Sequence, residues 1–244
     1  MSIAAETAFL NLTVPARAEP VPFLYFPASR QHILGILEGR TYPPLPDVGP
    51  VATIVDIGAN VGAASVMFAT RHPGAAVHAF EPGPGPLELL RQNAAHFPSI
   101  TVHSFGLGIE DTEQRLYRSS WDPMSASVLP SAENTGLFDV IPVRRTRAAL
   151  GSTGITSIDV LKIDTEGCEV PILCELEALL PSVKCVYLEF HSDRDRLRLD
   201  ERLAGTHVLA HAAVRHPHRG DVCYVHRETV YARRHALLAI EHGR

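Results

Sequence analysis

The sequence predicts one α/β domain with a mostly parallel sheet and helices on both faces. Short apolar runs alternate with amphipathic helical patterns from Val51 onward. Such alternation is typical of parallel sheets, because two parallel strands need a crossover between them, usually a helix. The 244 residues include 45% hydrophobic and 20% charged residues, a composition that supports a sizeable core.

The first half of this pattern has five elements. They are the strand VATIVD (51–56), a helix over 62–71, the strand AAVHAFE (75–81), a helix over 86–97 and the strand ITVHSF (100–105). In the second helix, Leu87, Leu90, Ala94 and Phe97 recur at three- and four-residue spacing. This spacing places all four on one face of the helix.

The alternation breaks between Glu110 and Thr146. There the pattern predicts a hairpin around 114–118, a polar loop over 121–134 and a strand over 138–143. We interpret this stretch as an insertion near the ligand pocket. Its candidates for lining an acceptor site, with a plain surface loop as the alternative, are Trp121, Met124, Ser125 and Ser127.

The alternation resumes after the insertion. The predicted elements are the strand SIDVLKID (157–164), a helix over 168–180, the strand VKCVYLEF (183–190), a charged helix over 194–204 and two antiparallel strands over 206–214 and 221–226.

Prolines punctuate the first fifty residues and break long regular elements there. One short helix, over 31–39, is expected between the proline clusters. We interpret residues 1–50 as an N-terminal lid or edge segment, and residues 51–244 as the domain itself.

Charge and composition argue against several classes of protein. A net charge of −5 disfavours broad contact with nucleic acid, because nucleic-acid binders usually carry a basic face. The sequence contains neither a signal-peptide pattern nor an apolar run near the ~20 residues that cross a bilayer, so a cytoplasmic location is expected. The irregular spacing of the four cysteines predicts small buried residues instead of disulfides or a metal knuckle.

The segment DIGANVG, from Asp56 to Gly62, joins a buried strand to a helix. Gly58 and Gly62 permit a close approach of the backbone, and open α/β sheets bind ligands at the carboxyl ends of their strands. We therefore expect a cofactor at this turn. Tight packing alone is the alternative explanation of its glycines.

The residues of the turn favour S-adenosylmethionine over a dinucleotide. Asn60 stands where the dinucleotide fingerprint has the glycine that lets a pyrophosphate approach. The Asp56 carboxylate complements an ammonium and a sulfonium and repels a pyrophosphate. Glu81, at the end of the next strand, can accept hydrogen bonds from ribose hydroxyls, which both cofactor classes carry. A solvated loop acid is the alternative for Glu81.

The chain resembles the FkbM family of S-adenosylmethionine-dependent methyltransferases in five ordered blocks. They are VDIGANVGAAS, AFEPGP, the strand leading into Gly106-Leu107-Gly108, IDVLKIDTEGCEVPIL and YLEFH. The resemblance implies a Rossmann-like class I methyltransferase fold, with seven strands parallel except for one near the C-terminus. It also implies methyl transfer to a hydroxyl oxygen.

The cofactor contacts that this resemblance implies are those of Asp56, Gly58, Ala59, Asn60, Gly62, Glu81, Pro82, Gly106, Leu107 and Asp164. The family usually has Ala-Leu-Ser-Asp in its third block, where this chain has Gly106-Leu107-Gly108-Ile109. That departure leaves the adenine contact open.

Methyl transfer to oxygen is an in-line displacement in which a base removes the proton of the acceptor. Asp164 follows the strand DVLKI, and Glu189 and His191 end the next strand on one face. We predict His191 as the base, because an imidazole pKa near ~6.5 suits proton removal at neutral pH. Glu189 would orient His191 or the substrate. Asp164 would face the methionine end of the cofactor or the acceptor hydroxyl.

Other roles for these acids stay open. Glu166 is equally suited to cap the following helix. Lys162 is a poorer base, because burial would first have to lower its pKa by several units. We predict no metal, although Asp164, Glu189 and His191 have the ligand types of a divalent-cation site.

Five late histidines are expected on the surface of a hairpin and not in a metal cluster, because their four-residue spacing separates side chains on a strand. They are His207, His211, His216, His218 and His226.

The sequence therefore predicts an S-adenosylmethionine-dependent O-methyltransferase that acts on a hydroxyl of a small molecule, such as a sugar, a polyketide or another secondary metabolite. A non-catalytic domain that senses the cofactor is the alternative, and an NAD-dependent oxidoreductase has less support. Neither nucleic acid nor membrane is an expected partner. The oligomeric state, a homo-oligomer included, stays open.

Overall fold

A computed structural model describes residues 6–15, 17–44, 48–119, 126–129 and 134–230. Its strands are β1 (Ala8–Leu12), β2 (Val21–Tyr25), β3 (Thr53–Ile57), β4 (Ala76–Phe80), β5 (Ile100–His103), β6 (Gly106–Gly108), β7 (Thr112–Ser119), β8 (Asn134–Arg145), β9 (Val160–Ile163), β10 (Cys185–Phe190), β11 (His207–His216) and β12 (Arg219–His226). Its α-helices are α1 (Arg30–Leu37), α2 (Ala63–Arg71), α3 (Pro84–Ala94), α4 (Thr146–Ser152), α5 (Glu169–Glu175) and α6 (Asp193–Leu203).

The main sheet has seven strands in the order β11-β12-β10-β9-β3-β4-β5. Each neighbouring pair from β10 to β5 is parallel, and β12 runs antiparallel to both β10 and β11. The prediction of a mostly parallel α/β sheet with an antiparallel strand near the C-terminus is confirmed.

Hydrophobic residues cover both faces of this sheet. Neighbouring residues of β3 point to opposite faces, so Ile54 packs with α1 and α2, while Val55 packs with α4, α5 and α6. The fully buried strands β9 and β10 therefore read as almost continuous apolar runs. The expected helices on both faces are present.

A two-stranded hairpin of β1 and β2 precedes α1 and was not expected from the proline-rich sequence. Phe23 and Tyr25 on β2 are buried in the same cluster as Phe68 of α2. The expected short helix at 31–39 is α1. The division of the chain at residue 50 stays a prediction, and the structure joins both sides of it in one core.

The insertion forms a separate three-stranded sheet in the order β6-β8-β7. The predicted hairpin around 114–118 is wrong, because those residues lie within β7 and pair along the length of β8. The strand expected at 138–143 belongs to β8, which is longer. Ser127 pairs with Tyr117, whereas Trp121, Met124 and Ser125 lie outside the described residues.

No helix among the described residues is both long enough and apolar enough to span a bilayer.

Candidate active site

A cavity of about 590 Å³ opens at the carboxyl ends of β3, β4, β9 and β10. Its wall is completed by α1, the insertion sheet and the β11–β12 hairpin. Most sequence-predicted site residues line it, namely Gly58, Ala59, Asn60, Glu81, Pro82, Gly106, Leu107, Asp164 and Glu189. Asp56, Gly62 and His191 are not among the lining residues.

The turn after β3 needs its glycines. Gly58 has a φ of +75°, and a Cβ there would lie 1.8 Å from the carbonyl oxygen of Asp164. Gly62 has a φ of +92°, and a Cβ there would lie 2.7 Å from Leu90 Cδ1. Asn60 also has a positive φ, of 54°, which asparagine tolerates better than most residues. The turn is thereby pressed against the end of β9, next to Asp164.

Five consecutive backbone amides of this turn donate hydrogen bonds within the protein. Those of residues 58 and 59 donate to the Phe80 carbonyl, and that of residue 62 donates to the Ala59 carbonyl. The amide of residue 60 donates to Glu81, and that of residue 61 donates to Asn60 Oδ1. A pyrophosphate would need such amides as donors, so this turn suits a nucleoside without phosphates.

Glu81 is fixed in the cavity wall by two backbone amides. Its Oε2 accepts from Asn60 at 2.8 Å and its Oε1 accepts from Gly83 at 2.7 Å. Burial raises the pKa of Glu81 to about 7, although both amides oppose this change. Each oxygen keeps a second lone pair, so the carboxylate can still accept from two vicinal hydroxyls.

Asp56 does not reach the cavity, which corrects the expected electrostatic contact with a cofactor. It is fully buried, and its Oδ2 accepts from Ser65 Oγ at 2.6 Å. Lys162 Nζ lies 3.0 Å from its Oδ1 and donates to the Gly58 carbonyl at 2.6 Å. Asp56 and Lys162 therefore stabilise the turn through buried contacts.

Lys162 stays charged. Burial alone would lower its pKa, but Asp56 and Asp164 outweigh burial and raise the pKa above its ordinary value. This raised pKa agrees with the expectation that Lys162 is a poor base.

Gly106 and Leu107 of β6 line the cavity beyond Glu81, together with Pro82. A Cβ on Gly106 would lie 3.4 Å from both Pro82 and Val143. This part of the cavity therefore has a mainly apolar lining, although the third block departs from the family pattern.

Asp164 and Glu189 lie close together at the other end of the cavity, with carboxylate oxygens within 4.8 Å of each other. Burial would raise the pKa of Asp164, but Lys162 and the Glu189 contact hold it well below its usual range. Burial and the charge of Asp164 raise the pKa of Glu189 to about 9. At neutral pH the pair therefore holds one proton, which lies on Glu189.

His191 is not among the residues that line the cavity, which counts against its predicted role as the base. Its Nε2 lies 3.1 Å from Glu166 and its Nδ1 lies 3.6 Å from Glu169. Burial would lower the pKa of His191, but these two acids outweigh burial and raise the pKa to about 10.

The alternative prediction, that Glu166 caps the following helix α5, is wrong. Its carboxylate turns instead to His191 and Arg219. Glu169 organises the loop before α5, because its carboxylate accepts from the Thr165 and Gly167 amides. Sequence reasoning missed Glu169, although its position in the first turn of a helix was a signal.

Arg219 is a further residue that sequence reasoning missed. Its Nε donates to Glu189 at 3.1 Å, its Nη2 contacts Glu166, and the same Nη2 lies 2.9 Å from His191 Nε2. Nothing in the local sequence of a hairpin end marks such a residue, because the contacts join β12 to segments far away in the chain.

Four groups have the ligand types of a cation site, with ligand atoms within 4.8 Å of one another: Asp164, Glu166, Glu189 and His191. Arg219 already contacts three of them. A metal ion would have to displace both this guanidinium and the His191 proton.

The late histidines form no ligand cluster among the described residues. His216 lines the cavity. His207 departs from the expected surface location, because it is buried and bonds the Val183 carbonyl at 2.8 Å. Of the four free cysteines, Cys185 and Cys223 are buried, whereas Cys168 and Cys174 are half-buried.

The comparisons with known proteins agree with one another. The sequence model of a family described as "Methyltransferase FkbM domain" matches residues 56–215. The chain is 28% identical over 175 residues to 31-O-demethyl-FK506 methyltransferase FkbM of Streptomyces tacrolimicus, covering 59% of this chain and 67% of that protein. It is 29% identical over 186 residues to AMB antimetabolite synthetase AmbE of Pseudomonas aeruginosa, covering 60% of this chain but 9% of that much longer protein.

Among solved structures, the fibrillarin pre-rRNA processing protein of Methanococcus jannaschii has a similar fold. The TM-score is 0.50 at 11% sequence identity, over 88% of this chain and 82% of that chain. At this identity the likeness concerns the fold alone.

Proposed function

Because the chain belongs to the methyltransferase FkbM domain family, we propose that it transfers a methyl group from S-adenosylmethionine to a hydroxyl oxygen of a small molecule. The coarser activity, S-adenosylmethionine-dependent methyl transfer, follows from the family. Transfer to a hydroxyl is proposed on the basis of one cavity. It contains both the β3 turn, where we place the nucleoside, and the carboxylate of Asp164, whose pKa is held low.

The cofactor half of the cavity consists of the turn after β3, Glu81 and the β6 slot. In our assignment Glu81 holds the ribose hydroxyls, and Gly106 and Leu107 flank the adenine. Asp164 lies where the β3 turn meets β9 and attracts the ammonium of the methionine end. S-adenosylmethionine, when bound, supplies a methyl group activated by a positively charged sulfur.

The acceptor half lies beyond Asp164, next to Glu189, Arg219 and His32. A hydroxyl hydrogen-bonded to Asp164 has its oxygen lone pair free to attack the methyl carbon. The carboxylate is a weak base, since its pKa is held low. Weak basicity suffices, because the O–H proton becomes strongly acidic as its oxygen gains a bond to carbon. Asp164 would then take the proton as the bond between the methyl carbon and sulfur breaks, leaving the methyl ether and S-adenosylhomocysteine.

The acceptor class rests on the activity of a relative, 31-O-demethyl-FK506 methyltransferase FkbM of Streptomyces tacrolimicus. The net charge of −5 supports a small molecule over nucleic acid. We also propose that the enzyme acts in the cytoplasm.

The test has two stages. Calorimetry is expected to detect S-adenosylhomocysteine binding and no comparable NAD binding, because the amides of the β3 turn are already used within the protein. A screen of hydroxylated small molecules with methyl-labelled cofactor then identifies the acceptor. Transfer only to nitrogen or carbon, or tighter binding of NAD, would contradict the proposal.

Asp164→Asn serves as the variant for the second stage. It should lower turnover by about a hundredfold, a typical contribution of a positioned proton acceptor. Asp193→Asn makes the same chemical change at an exposed acid on α6 and should leave turnover unchanged. Cofactor binding without any methyl transfer would favour the non-catalytic alternative.

A further inference from the structure

Tyr42 contacts the centre of the active site from outside the matched family domain. It lies between α1 and β3, before the matched residues 56–215, and is 1% exposed. Its hydroxyl donates to Asp164 Oδ2 at 3.0 Å. Lys162 Nζ lies 3.8 Å from the same oxygen.

The backbone around Tyr42 is held on two sides. Its carbonyl accepts from Arg71 Nη1 of α2 at 2.7 Å. The next carbonyl, of Pro43, accepts from the Tyr187 hydroxyl of β10 at 2.7 Å. The ring of Tyr42 packs edge-on against that of Tyr187, with centroids 5.6 Å apart. The hydroxyl therefore reaches Asp164 from a fixed position.

Tyr42 and Lys162 both lie near one oxygen of Asp164. The Tyr42 hydroxyl donates to Oδ2, and Lys162 Nζ lies 3.8 Å from the same oxygen while it is paired with Asp56. Without the tyrosine hydroxyl, Oδ2 loses this donor, and the carboxylate can turn toward Lys162.

We propose that Tyr42 is a positioning residue that holds the Asp164 carboxylate toward the cofactor and the acceptor, so that the N-terminal segment is part of the active site. The helix α1 of the same segment supports this inference, because His32 and Ile36 line the acceptor half of the cavity. The proposal rests on the proposed function of Asp164.

A double-mutant cycle tests the coupling of Tyr42 to Asp164. S-adenosylhomocysteine affinity is measured by calorimetry for the natural chain, Tyr42→Phe, Asp164→Asn and the double variant. Tyr42→Phe should weaken binding about tenfold, because hydrogen bonds to charged groups are among the stronger ones. In the Asp164→Asn background it should have no further effect.

Tyr224→Phe is the matched control. It removes the hydroxyl of another buried tyrosine that also donates to a carboxylate, that of Asp200, and neither residue lines the cavity. Binding should stay within about twofold of the natural chain, while thermal unfolding midpoints of the two phenylalanine variants should be similar.

Once the screen has identified an acceptor, Tyr42→Phe should lower kcat and leave the KM for the acceptor unchanged. Equal losses of affinity from Tyr42→Phe in both backgrounds, or no loss in either, would overturn the positioning role. Failure of the natural chain to bind S-adenosylhomocysteine would instead refute the proposed function, so the two failures are distinct.

Discussion

Asp164 and Glu189 are chemically similar acids whose surroundings give them opposite protonation states. Asp164 lies near Lys162 and Glu189, which hold its pKa well below its usual range, and its Oδ2 accepts a hydrogen bond from Tyr42. Glu189 lies between that negative charge and the buried sheet and keeps its proton to a pKa of about 9. The sequence placed both acids at neighbouring strand ends, but the strength of their coupling depends on the distance between them.

Glu189→Gln should stabilise the protein increasingly as pH rises. The folded pKa of about 9 exceeds the unfolded value of about 4.3, so folding takes up a proton. The stability from this group is complete below about pH 4 and is lost as pH rises toward 9. Glutamine keeps the hydrogen bonds without the titration. Thermal unfolding from pH 5 to 9 should show a widening gap in favour of the variant; a constant gap would contradict the raised pKa.

His191→Gln should destabilise the protein at low pH and lose this effect as pH rises. The folded pKa of about 10 exceeds the ordinary ~6.5, so the charged imidazole stabilises the fold fully below about pH 6.5 and loses this effect as pH rises through 10. The variant should unfold at a lower temperature than the natural chain at pH 6, and the difference should shrink by pH 10. A loss of turnover in a variant of unchanged stability would restore His191 as a base.

At the scale of elements, the turn between β3 and α2 is the feature that the sequence describes best. Its glycines, its asparagine and its following helix lie as expected, because their conformations are imposed by local backbone geometry. The expected contact of Asp56 with the cofactor was wrong because the prediction used local patterns alone. Local patterns show that a carboxylate ends the strand, but not that Lys162 and Ser65 already bind it.

Gly58→Ala should abolish cofactor binding and strongly destabilise the fold, because a Cβ there would overlap the Asp164 carbonyl. Gly74→Ala is the control, since Gly74 also has a positive φ, of +96°, but open space around the added carbon. The control should cost about 1–2 kcal/mol from backbone strain alone. Urea unfolding and S-adenosylhomocysteine calorimetry measure both effects; equal destabilisation by the two changes would show that strain, not overlap, decides.

At the scale of the whole molecule, one hydrophobic core crosses the expected division at residue 50. Seven residues of the N-terminal segment are at most 5% exposed within it, namely Val21, Phe23, Tyr25, Phe26, Ile33, Ile36 and Tyr42. The prolines indicated where regular structure would break. They did not indicate that the chain between the breaks would cover α2.

A chain that begins at Val51 should therefore fail to unfold cooperatively. Each large buried side chain stabilises by about 2 kcal/mol, so losing seven removes about 14 kcal/mol, which is comparable to the whole stability of a typical domain. Circular dichroism melts of the shortened and the full chain give the comparison. A sharp transition with retained S-adenosylhomocysteine binding in the shortened chain would show that residues 51–244 are an independent domain.

The sequence by itself determined the sheet, the order of most of its elements and the family, because strand periodicity and the glycine turn are local properties. It also placed Glu81, Asp164 and Glu189 at strand ends, where a parallel sheet gathers them. Only the tertiary structure decided which acids face the cavity and which are buried in contacts within the protein. The positions of Tyr42, Lys162 and Arg219 relative to those acids are set by packing between distant segments, and protonation states follow from those distances.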